Sequence, residues 1–283
     1  MLTHLKRLAK KVLPLSVQNY LGESSLVRVL RRQTNWSKRG YLLGKSWART
    51  AIVEDVPDSS NPLWQYFDAY KEGPGIWKWV HYFDTYHRHF NRFRGQEVHI
   101  LEVGIFSGGS LPMWRSYFGT KCHVYGVDIM DACKAYENES TKIFIGDQAD
   151  RDFWKRFKQD VPRLDIVIDD GGHQPEQQVV TLEELLPHLQ SGGVFFCEDV
   201  VHAFNPFSSF VGGLVHSLNE VVGFKGTPTN NYAGGLSVDT AGFQSAIQSI
   251  TCYPWVTVIE KRQANIAEFR APRHGTQWQP FSA

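Results

Sequence analysis

Residues 164–173 read LDIVIDDGGH, an apolar segment that runs directly into two carboxylates, two glycines and a histidine. The first part predicts a buried strand, because a short run of Leu, Ile and Val bounded by turn residues is typical of one. Adjacent acids at the end of a buried strand repel each other and lose contact with water, so the fold or the chemistry has to compensate for that cost. The stretch therefore predicts a strand with a polar site at its carboxyl end.

Segments of the same kind recur along the chain, and helix-like segments separate them. The predicted strands are 98–104, 123–128, 142–147, 164–170 and 192–200, and the predicted helices are 109–118, 149–158 and 174–189. Two late strands within 249–262, turning at Tyr253–Pro254, predict an antiparallel edge. This alternation predicts an α/β fold with a doubly wound, mostly parallel, seven-stranded sheet. Ligands bind at the carboxyl ends of the strands in such sheets, and the acids lie there.

The composition fits one large domain with an appendage. The chain has 283 residues, of which 42% are hydrophobic, and its net charge of +1 argues against general nucleic-acid binding. Residues 1–50 nevertheless hold eleven Lys or Arg and a single acid, Glu23, so the rest of the chain is acidic. We predict a basic helical auxiliary region over 1–95, an α/β domain over 96–265 and a C-terminal tail over 266–283.

The basic arm, residues 1–50, allows three interpretations. It packs on its own protein or on a second subunit, which would make a homo-oligomer; it touches a membrane surface peripherally; or it begins with a transit peptide. The four cysteines form no CxxC pair, which indicates reduced thiols in a cytoplasmic protein. The sequence contains no run of about 18 apolar residues, so no membrane span is predicted.

The first predicted strand leads into a glycine-containing loop, LEVGIFSGGS, at 101–110. Gly104 allows a tight turn, and Gly108 lets backbone and ligand approach closely. The dinucleotide pattern G-x-G-x-x-G fails, because Phe106 stands where its second glycine would be. The spacing acid-x-Gly-x-x-x-Gly resembles the first motif of class I S-adenosylmethionine (SAM) methyltransferases, and Glu102 would suit the ammonium and sulfonium charges of SAM.

Polar residues at the next two strand ends extend the predicted cofactor site. Asp128 is placed to accept hydrogen bonds from ribose hydroxyls. Asp147 can accept from the exocyclic amine of adenine, and the amide of Gln148 can both donate and accept.

The fourth and fifth strand ends carry Asp169–Asp170 and Glu198–Asp199. Carboxylates that lie so near one another cannot all stay ionised without a cation, and an all-oxygen cluster selects Mg²⁺ or Mn²⁺ over zinc. The histidine side chain is the one most often used as a general base near neutral pH, so His173 is a candidate for that role. The alternative is a local hydrogen-bonded turn at Asp170 and His173, with the second acidic pair capping a helix. The aromatic segment 77–90 predicts core packing, or a lid formed by His81, Tyr82 or Tyr86.

Several motifs together resemble the metal-dependent macrolide and rhamnosyl sugar O-methyltransferases of the mycinamicin and tylosin type, and their cephalosporin-hydroxylase-like relatives. The motifs are LEVGIFSGGS, VYGVDI, GDQAD, IDDGGH and GGVFFCEDV, and the resemblance covers about residues 78–222. It implies a Rossmann-like methyltransferase fold, SAM as methyl donor, Mg²⁺ held by Asp170, Glu198 and Asp199, and His173 as the base. It also implies an oligomer built through the N-terminal region.

The resemblance implies methylation of a hydroxyl on a small glycoside or other polyhydroxyl acceptor. Two alternatives stay open: methylation of a catechol or a cell-surface polysaccharide, or a non-catalytic SAM-binding module that assists a partner enzyme. Residues 200–213 and those after 222 lack diagnostic motifs, and we expect them to shape the acceptor pocket.

Overall fold

The computed structural model describes residues 35–48, 56–225, 236–272 and 274. The chain divides into two compact units, Met1–Glu54 and Asp55–Ala283. In the first unit the described residues form one helix, α1 (35–45). Most of the basic arm lies outside the described residues, so its predicted contacts with a second subunit or a membrane stay predictions.

A seven-stranded sheet forms the centre of the second unit. Its strands are β1 (Val98–Val103), β2 (Cys122–Asp128), β3 (Thr141–Ile145), β4 (Leu164–Asp169), β5 (Leu189–Cys197), β8 (Ile247–Tyr253) and β9 (Val256–Lys261). They are arranged in the order β3-β2-β1-β4-β5-β9-β8. The first five run parallel, whereas β9 is antiparallel to β5 and β8 is antiparallel to β9. The predicted mostly parallel, seven-stranded sheet is confirmed.

Helices cover both faces of this sheet. They are α2 (Pro62–Ala69), α3 (Tyr82–Phe90), α4 (Ser110–Phe118), α5 (Arg151–Asp160), α6 (Pro175–Leu185), α7 (Pro206–Leu218) and the short α8 (Gly242–Ala246). Successive strand residues point to opposite faces, so Ile166 and Ile168 pack with α2, α3 and α4, and Val167 packs with α5, α6 and α7. Because neither face meets water, β4 is buried along its whole length, as its apolar sequence predicts.

Helix α3 belongs to the core of the second unit. Phe83, Tyr86 and Phe90 recur at helical spacing and are fully buried against the sheet. The contacts place the boundary between units at 54/55, whereas the sequence interpretation placed it at 95/96. That interpretation started the domain where strand alternation begins, and the aromatic helix before it adds Phe83, Tyr86 and Phe90 to the apolar layer on one face. The predicted domain boundaries stay a prediction.

The carboxyl ends of the central strands lie side by side. The Asp170 amide donates to the Val103 carbonyl at 2.9 Å, and the Glu198 amide donates to the Asp169 carbonyl at 2.9 Å. The Gly104 amide likewise donates to the Val127 carbonyl at 2.8 Å. These bonds continue the parallel ladders by one residue, so the polar residues after four strands meet at one edge.

A smaller antiparallel sheet completes the second unit. It consists of β6 (Phe224–Lys225), β7 (Leu236–Asp239) and β10 (Glu268–Ala271) in the order β10-β7-β6. Strand β10 lies within the predicted C-terminal tail, 266–283, so part of that tail belongs to a sheet.

Two observations bear on the predicted location. Cys122, Cys133, Cys197 and Cys252 are all unpaired, and Cys252 alone of these four is exposed. Among the helices formed by described residues, none has the length and apolar character needed to cross a membrane. A cytoplasmic location stays a prediction.

We expect Glu260→Gln to destabilise the protein at neutral pH. Hydrogen bonds from His89 and Arg92 hold the pKa of Glu260 at about 2, below its ordinary value of 4.5, although burial opposes this shift. The stabilisation is therefore present above pH 4.5 and is lost as the pH falls toward 2. Partial solvent screening reduces it to about 1–2 kcal/mol.

Urea unfolding between pH 3 and pH 7 measures this difference. The difference in free energy of unfolding between wild type and Glu260→Gln should become smaller as the pH falls. The exposed control Glu139→Gln should stay within about 0.5 kcal/mol of wild type. A gap that is constant across this pH range would contradict the assignment.

Candidate functional site

A cavity of about 550 Å³ opens at the carboxyl edge of the parallel strands. Segments from the strand ends line its floor, and a loop that precedes α3 lines another wall. The lining residues are 75–79, 103–107, 110, 127–129, 146–148, 170–173, 177, 198 and 199. The edge that the sequence predicts for ligand binding is therefore the edge that carries this cavity.

Two of the predicted cofactor residues are glycines with a left-handed backbone. Gly104 has φ +82°, and a Cβ there would overlap the Asp170 carbonyl, so the loop after β1 and the loop after β4 touch only because this residue is glycine. Gly108 has φ +74° and lies against the ring of Tyr136, away from the cavity lining. Gly104 thus lines the cavity, and Gly108 shapes the loop.

Asp128 and Asp147 both line the cavity. One oxygen of Asp128 accepts from the amides of Ile105 and Phe106 at 3.1 and 3.0 Å, and the other accepts from the Met130 amide at 2.9 Å. Asp128 therefore ties the loop after β1 to the end of β2, and its Oδ1 atom, which accepts a single bond, retains capacity for a ligand donor. Asp147 is exposed and accepts from the Ala149 amide.

The Gln148 side chain lines the cavity and has hydrogen-bond partners inside the protein. The amide nitrogen donates to Asp169 at 3.0 Å and to Thr181 at 3.1 Å, and the amide oxygen accepts from the Gly172 amide at 2.6 Å. Both N–H groups are used inside the protein, where they help to hold the loop after β4, and adenine recognition by this side chain stays a prediction. Its partner Asp169 is buried, and burial raises the pKa of that carboxyl to about 6.

The acids predicted to bind a metal come together beside His173. The His173 Nε2 atom lies 3.9 Å from Asp170 Oδ1 and 3.6 Å from Asp199 Oδ2. His173 and Asp199 have φ values of 55° and 51°, a left-handed conformation that side chains rarely adopt and that clusters at functional sites. The tight backbone turns direct these side chains into one cavity.

Lys78 is the functional residue that the sequence analysis missed. The ammonium nitrogen lies 2.5 Å from Asp170 Oδ2, 3.3 Å from Glu198 Oε2 and 3.2 Å from Glu102 Oε1. Burial alone would lower the pKa of Lys78, but Asp170, Glu198 and Glu102 raise it well above its ordinary value. A lysine between two tryptophans in an aromatic segment was the only sequence signal for this contact.

One ammonium cannot neutralise three carboxylates. Burial and the neighbouring Asp170 therefore raise the pKa of Glu198 well above its ordinary value, and burial raises that of Glu102. Glu102 is fully buried and does not line the cavity, so Lys78 stands between this acid and the cavity. The cluster keeps an excess of acidic groups that a further cation would relieve.

Hydroxyl and indole donors from the aromatic segment hold the second acidic pair. The Tyr86 hydroxyl donates to Glu198 at 2.5 Å, and Tyr82 donates to Asp199 at 2.6 Å. The indole of Trp79 donates to the same Asp199 oxygen at 3.0 Å. Tyr82 and Tyr86 are buried core residues that hold the acids in place, so they do not form the lid that was considered as an alternative.

The residues present fit a hard divalent cation. Ligand atoms of Asp170, His173 and Asp199 all lie within 4.8 Å of one another, and Asp170 Oδ1 and Asp199 Oδ2 both face the histidine. Two carboxylates with a third acid nearby suit an ion that prefers oxygen. Glu198 differs from the other two acids, because its oxygens contact Lys78 and Tyr86.

A second group of possible ligands lies at the opposite edge of the sheet. Glu97, His99 and His123 come close at the start of β1 and β2, where the register pairs the two histidines directly. Their rings stack at 4.3 Å with an interplanar angle of 18°. Near-parallel rings do not point both nitrogens at one centre, so this arrangement suits an ion less well than the cavity does.

The strand order, the antiparallel final pair and a cavity at the carboxyl edge define the class I SAM-dependent methyltransferase fold. No protein-family model matches the chain. Among solved structures the chain resembles the MycE methyltransferase of mycinamycin biosynthesis in complex with Mg, SAH and mycinamycin VI. The two are 26% identical with a TM-score of 0.56, over 73% of this chain and 54% of that one.

The curated relatives are O-methyltransferases of sugars on natural products. Mycinamicin VI 2''-O-methyltransferase of Micromonospora griseorubida is 37% identical over 179 residues, which cover 59% of this chain and 43% of that protein. Demethylmacrocin O-methyltransferase of Streptomyces fradiae is 37% identical over 138 residues, which cover 46% and 34%. The chain thus matches these relatives over less than half of their length. It is a class I methyltransferase in fold, with macrolide sugar O-methyltransferases as homologues.

We expect Gln148→Leu to destabilise the protein by about 2–4 kcal/mol, because it leaves the Gly172 amide without its partner and Asp169 Oδ1 with only the long bond from the Gly171 amide. Thr181→Val keeps the bond to Gly172 and removes only the two bonds of the hydroxyl, to Gln148 and to the Gln177 carbonyl, so it should cost less, about 1 kcal/mol. Urea unfolding compares the two variants. Unchanged stability of Gln148→Leu, combined with lost adenosine binding, would instead restore the ligand-reading role.

Proposed function

We propose that this chain is a SAM-dependent, divalent-metal-dependent O-methyltransferase that acts on a sugar hydroxyl of a glycosylated natural product. The observation that carries the proposal is the cavity in which Asp170, Asp199 and His173 converge beside the loop of Gly104 and Asp128. The MycE complexes, which contain Mg and SAH, support the same cofactors for this chain.

The cofactor half of the proposed site is the wall formed by the loops after β1, β2 and β3. Gly104 lines this wall, and Asp128 and Asp147 offer carboxylate oxygens to hydroxyl and amine donors. Gly108 and Gln148 shape the surrounding loops, and Glu102 acts through Lys78.

The metal half of the proposed site consists of Asp170 and Asp199, with Glu198 as the third acid. These residues would hold Mg²⁺ or Mn²⁺, which all-oxygen sites favour. When bound, the ion would lower the pKa of a neighbouring acceptor hydroxyl, and SAM would supply the methyl group. Tyr82 and Trp79 fix one oxygen of Asp199, so the other oxygen stays directed toward His173.

His173 is the proposed general base. Its Nε2 atom faces the cavity between Asp170 and Asp199, so the base lies beside the place where an acceptor hydroxyl next to the ion would lose its proton. The residue has a left-handed backbone conformation, of the kind that clusters at functional sites.

The acceptor is proposed to lie against an aromatic wall next to Asp199. Trp79 is half-exposed and packs edge-on against Trp255 with ring centroids 4.8 Å apart. Trp77 and Phe106 expose larger fractions of their side chains at the cavity. Exposed aromatic surface beside polar groups fits a sugar, which has apolar faces and hydroxyl edges.

We expect His173→Ala to lose about 10²–10⁴-fold of turnover and to bind SAM within a few-fold of wild type, because the general base is removed while the cofactor wall is kept. Tritiated methyl transfer from SAM to a panel of rhamnosides, macrolide glycosides, a bacterial polysaccharide and catechol measures turnover, and calorimetry measures SAM binding. His123→Ala at the opposite sheet edge is the matched control. Full turnover by His173→Ala would exclude its role as the base, and methylation of catechol alone would exclude a sugar acceptor.

We expect Asp199→Asn to weaken Mn²⁺ binding at least about tenfold, because it removes a charged oxygen from the proposed ligand set. The control Asp147→Asn changes a carboxylate on the cofactor wall and should retain Mn²⁺ affinity. Titration followed by the electron paramagnetic resonance signal of free Mn²⁺ compares them. Equal Mn²⁺ affinity of both variants and wild type would remove the metal from the proposal.

A further inference from the structure

The buried ammonium of Lys78 contacts two of the three acids proposed for the metal. It is bonded to Asp170 and lies 3.3 Å from each oxygen of Glu198. Only 3% of the Lys78 side chain is exposed, so these contacts are poorly screened by solvent. A metal ion bound to both Asp170 and Glu198 would therefore lie next to the positive charge of Lys78.

Glu102 gives this ammonium a second partner. The Oε1 atom of Glu102 lies 3.2 Å from the Lys78 nitrogen and has no hydrogen-bond partner among the described residues, whereas Oε2 accepts from Ser110. Lys78 could give up Asp170 and Glu198 and still retain a buried carboxylate. In the structure the ammonium contacts all three acids at once, and a position against Glu102 alone would be a second one open to it.

We propose that Lys78 is a resident counter-ion that competes with a divalent cation for Asp170 and Glu198, and that Glu102 receives the ammonium when the cation binds. This inference rests on the proposed function, since it assigns the residue that sets the metal affinity of the same site. Two cations that share carboxylate oxygens repel each other, so the ion must move the ammonium or bind more weakly.

Removing the ammonium should strengthen metal binding. We expect Lys78→Met to bind Mn²⁺ about tenfold or more tightly than wild type, because the competing charge is gone. The melting temperature without metal should fall, since three buried acids lose their counter-ion, and added Mn²⁺ should raise it by more than in wild type. Lys78→Arg keeps the charge and should stay near the wild-type affinity.

Removing the second partner should have the opposite effect, and a double-mutant cycle separates its causes. Glu102→Gln should weaken Mn²⁺ binding, because the ammonium then stays on Asp170 and Glu198. In the Lys78→Met background the same substitution should change Mn²⁺ affinity much less. An equal loss in both backgrounds would mean that Glu102 acts by its charge alone, and it would overturn the second position for Lys78.

The experiment uses the full chain with His123→Ala in every variant, so that the histidine pair at the opposite edge does not contribute. Mn²⁺ affinity is read by electron paramagnetic resonance and does not depend on methyl transfer. Equal or weaker Mn²⁺ binding by folded Lys78→Met overturns the proposal. If Lys78→Met fails in this way while Asp199→Asn loses Mn²⁺ binding, the proposed metal site still stands. If no variant and not even the wild type binds Mn²⁺, the Lys78 proposal and the proposed metal site are both overturned.

If Lys78→Met does not fold, the wild-type protein still provides a test. A buried, paired ammonium exchanges its protons slowly and gives a distinct signal in lysine-selective ¹H–¹⁵N spectra. Adding Mg²⁺ should shift that signal as the ammonium moves toward Glu102. An unchanged Lys78 signal at saturating Mg²⁺ overturns the proposal.

Discussion

The ion-pair cluster around Lys78 is the contact on which the site depends. Glu102 is the penultimate residue of β1, and Asp170 and Glu198 directly follow β4 and β5, so parallel pairing of these three neighbouring strands brings the acids to one edge of the sheet. Buried like charges at this spacing would drive the strand ends apart or take up protons. The ammonium of Lys78 contacts all three acids and so allows them to be buried together. One ammonium leaves an excess of carboxylates, and this excess favours the binding of another cation at the edge.

Helix α3 contributes to both stability and chemistry. Its apolar stripe fills the core on one face of the sheet, and the hydroxyls of Tyr82 and Tyr86 emerge from that stripe against Asp199 and Glu198. Burial and the neighbouring Glu198 raise the pKa of Tyr86 well above its ordinary value, so this hydroxyl remains a donor. Neutral hydroxyl donors on α3 therefore hold the two acids, and they fix the orientation of the carboxylates without neutralising their negative charge.

The sequence predicted the sheet well because its signals are local. Apolar runs ending in acids located five parallel strands to within about three residues, and parallel pairing explains why Asp170, Asp199 and His173 meet. Lys78 was missed because more than ninety residues separate it from Asp170, and nothing local marks which charged side chain folds back. The internal partners of the Gln148 amide escaped the sequence for a related reason: they lie at the end of β4 and in the loop after it, and only the fold brings them within reach.

The two faces of the sheet have different freedom to change. Hydroxyl donors to the acidic pair come from α3 on one face, whereas α5 and α7 cover the other face with side chains such as Trp154, Phe157 and Val211. Phe157 and Val211 could therefore be exchanged for other apolar side chains in a search for a more stable protein, because neither touches the groups that aim the carboxylates. Trp154 has to stay, because its indole donates to the Gln148 carbonyl at 2.8 Å and Gln148 holds the loop after β4.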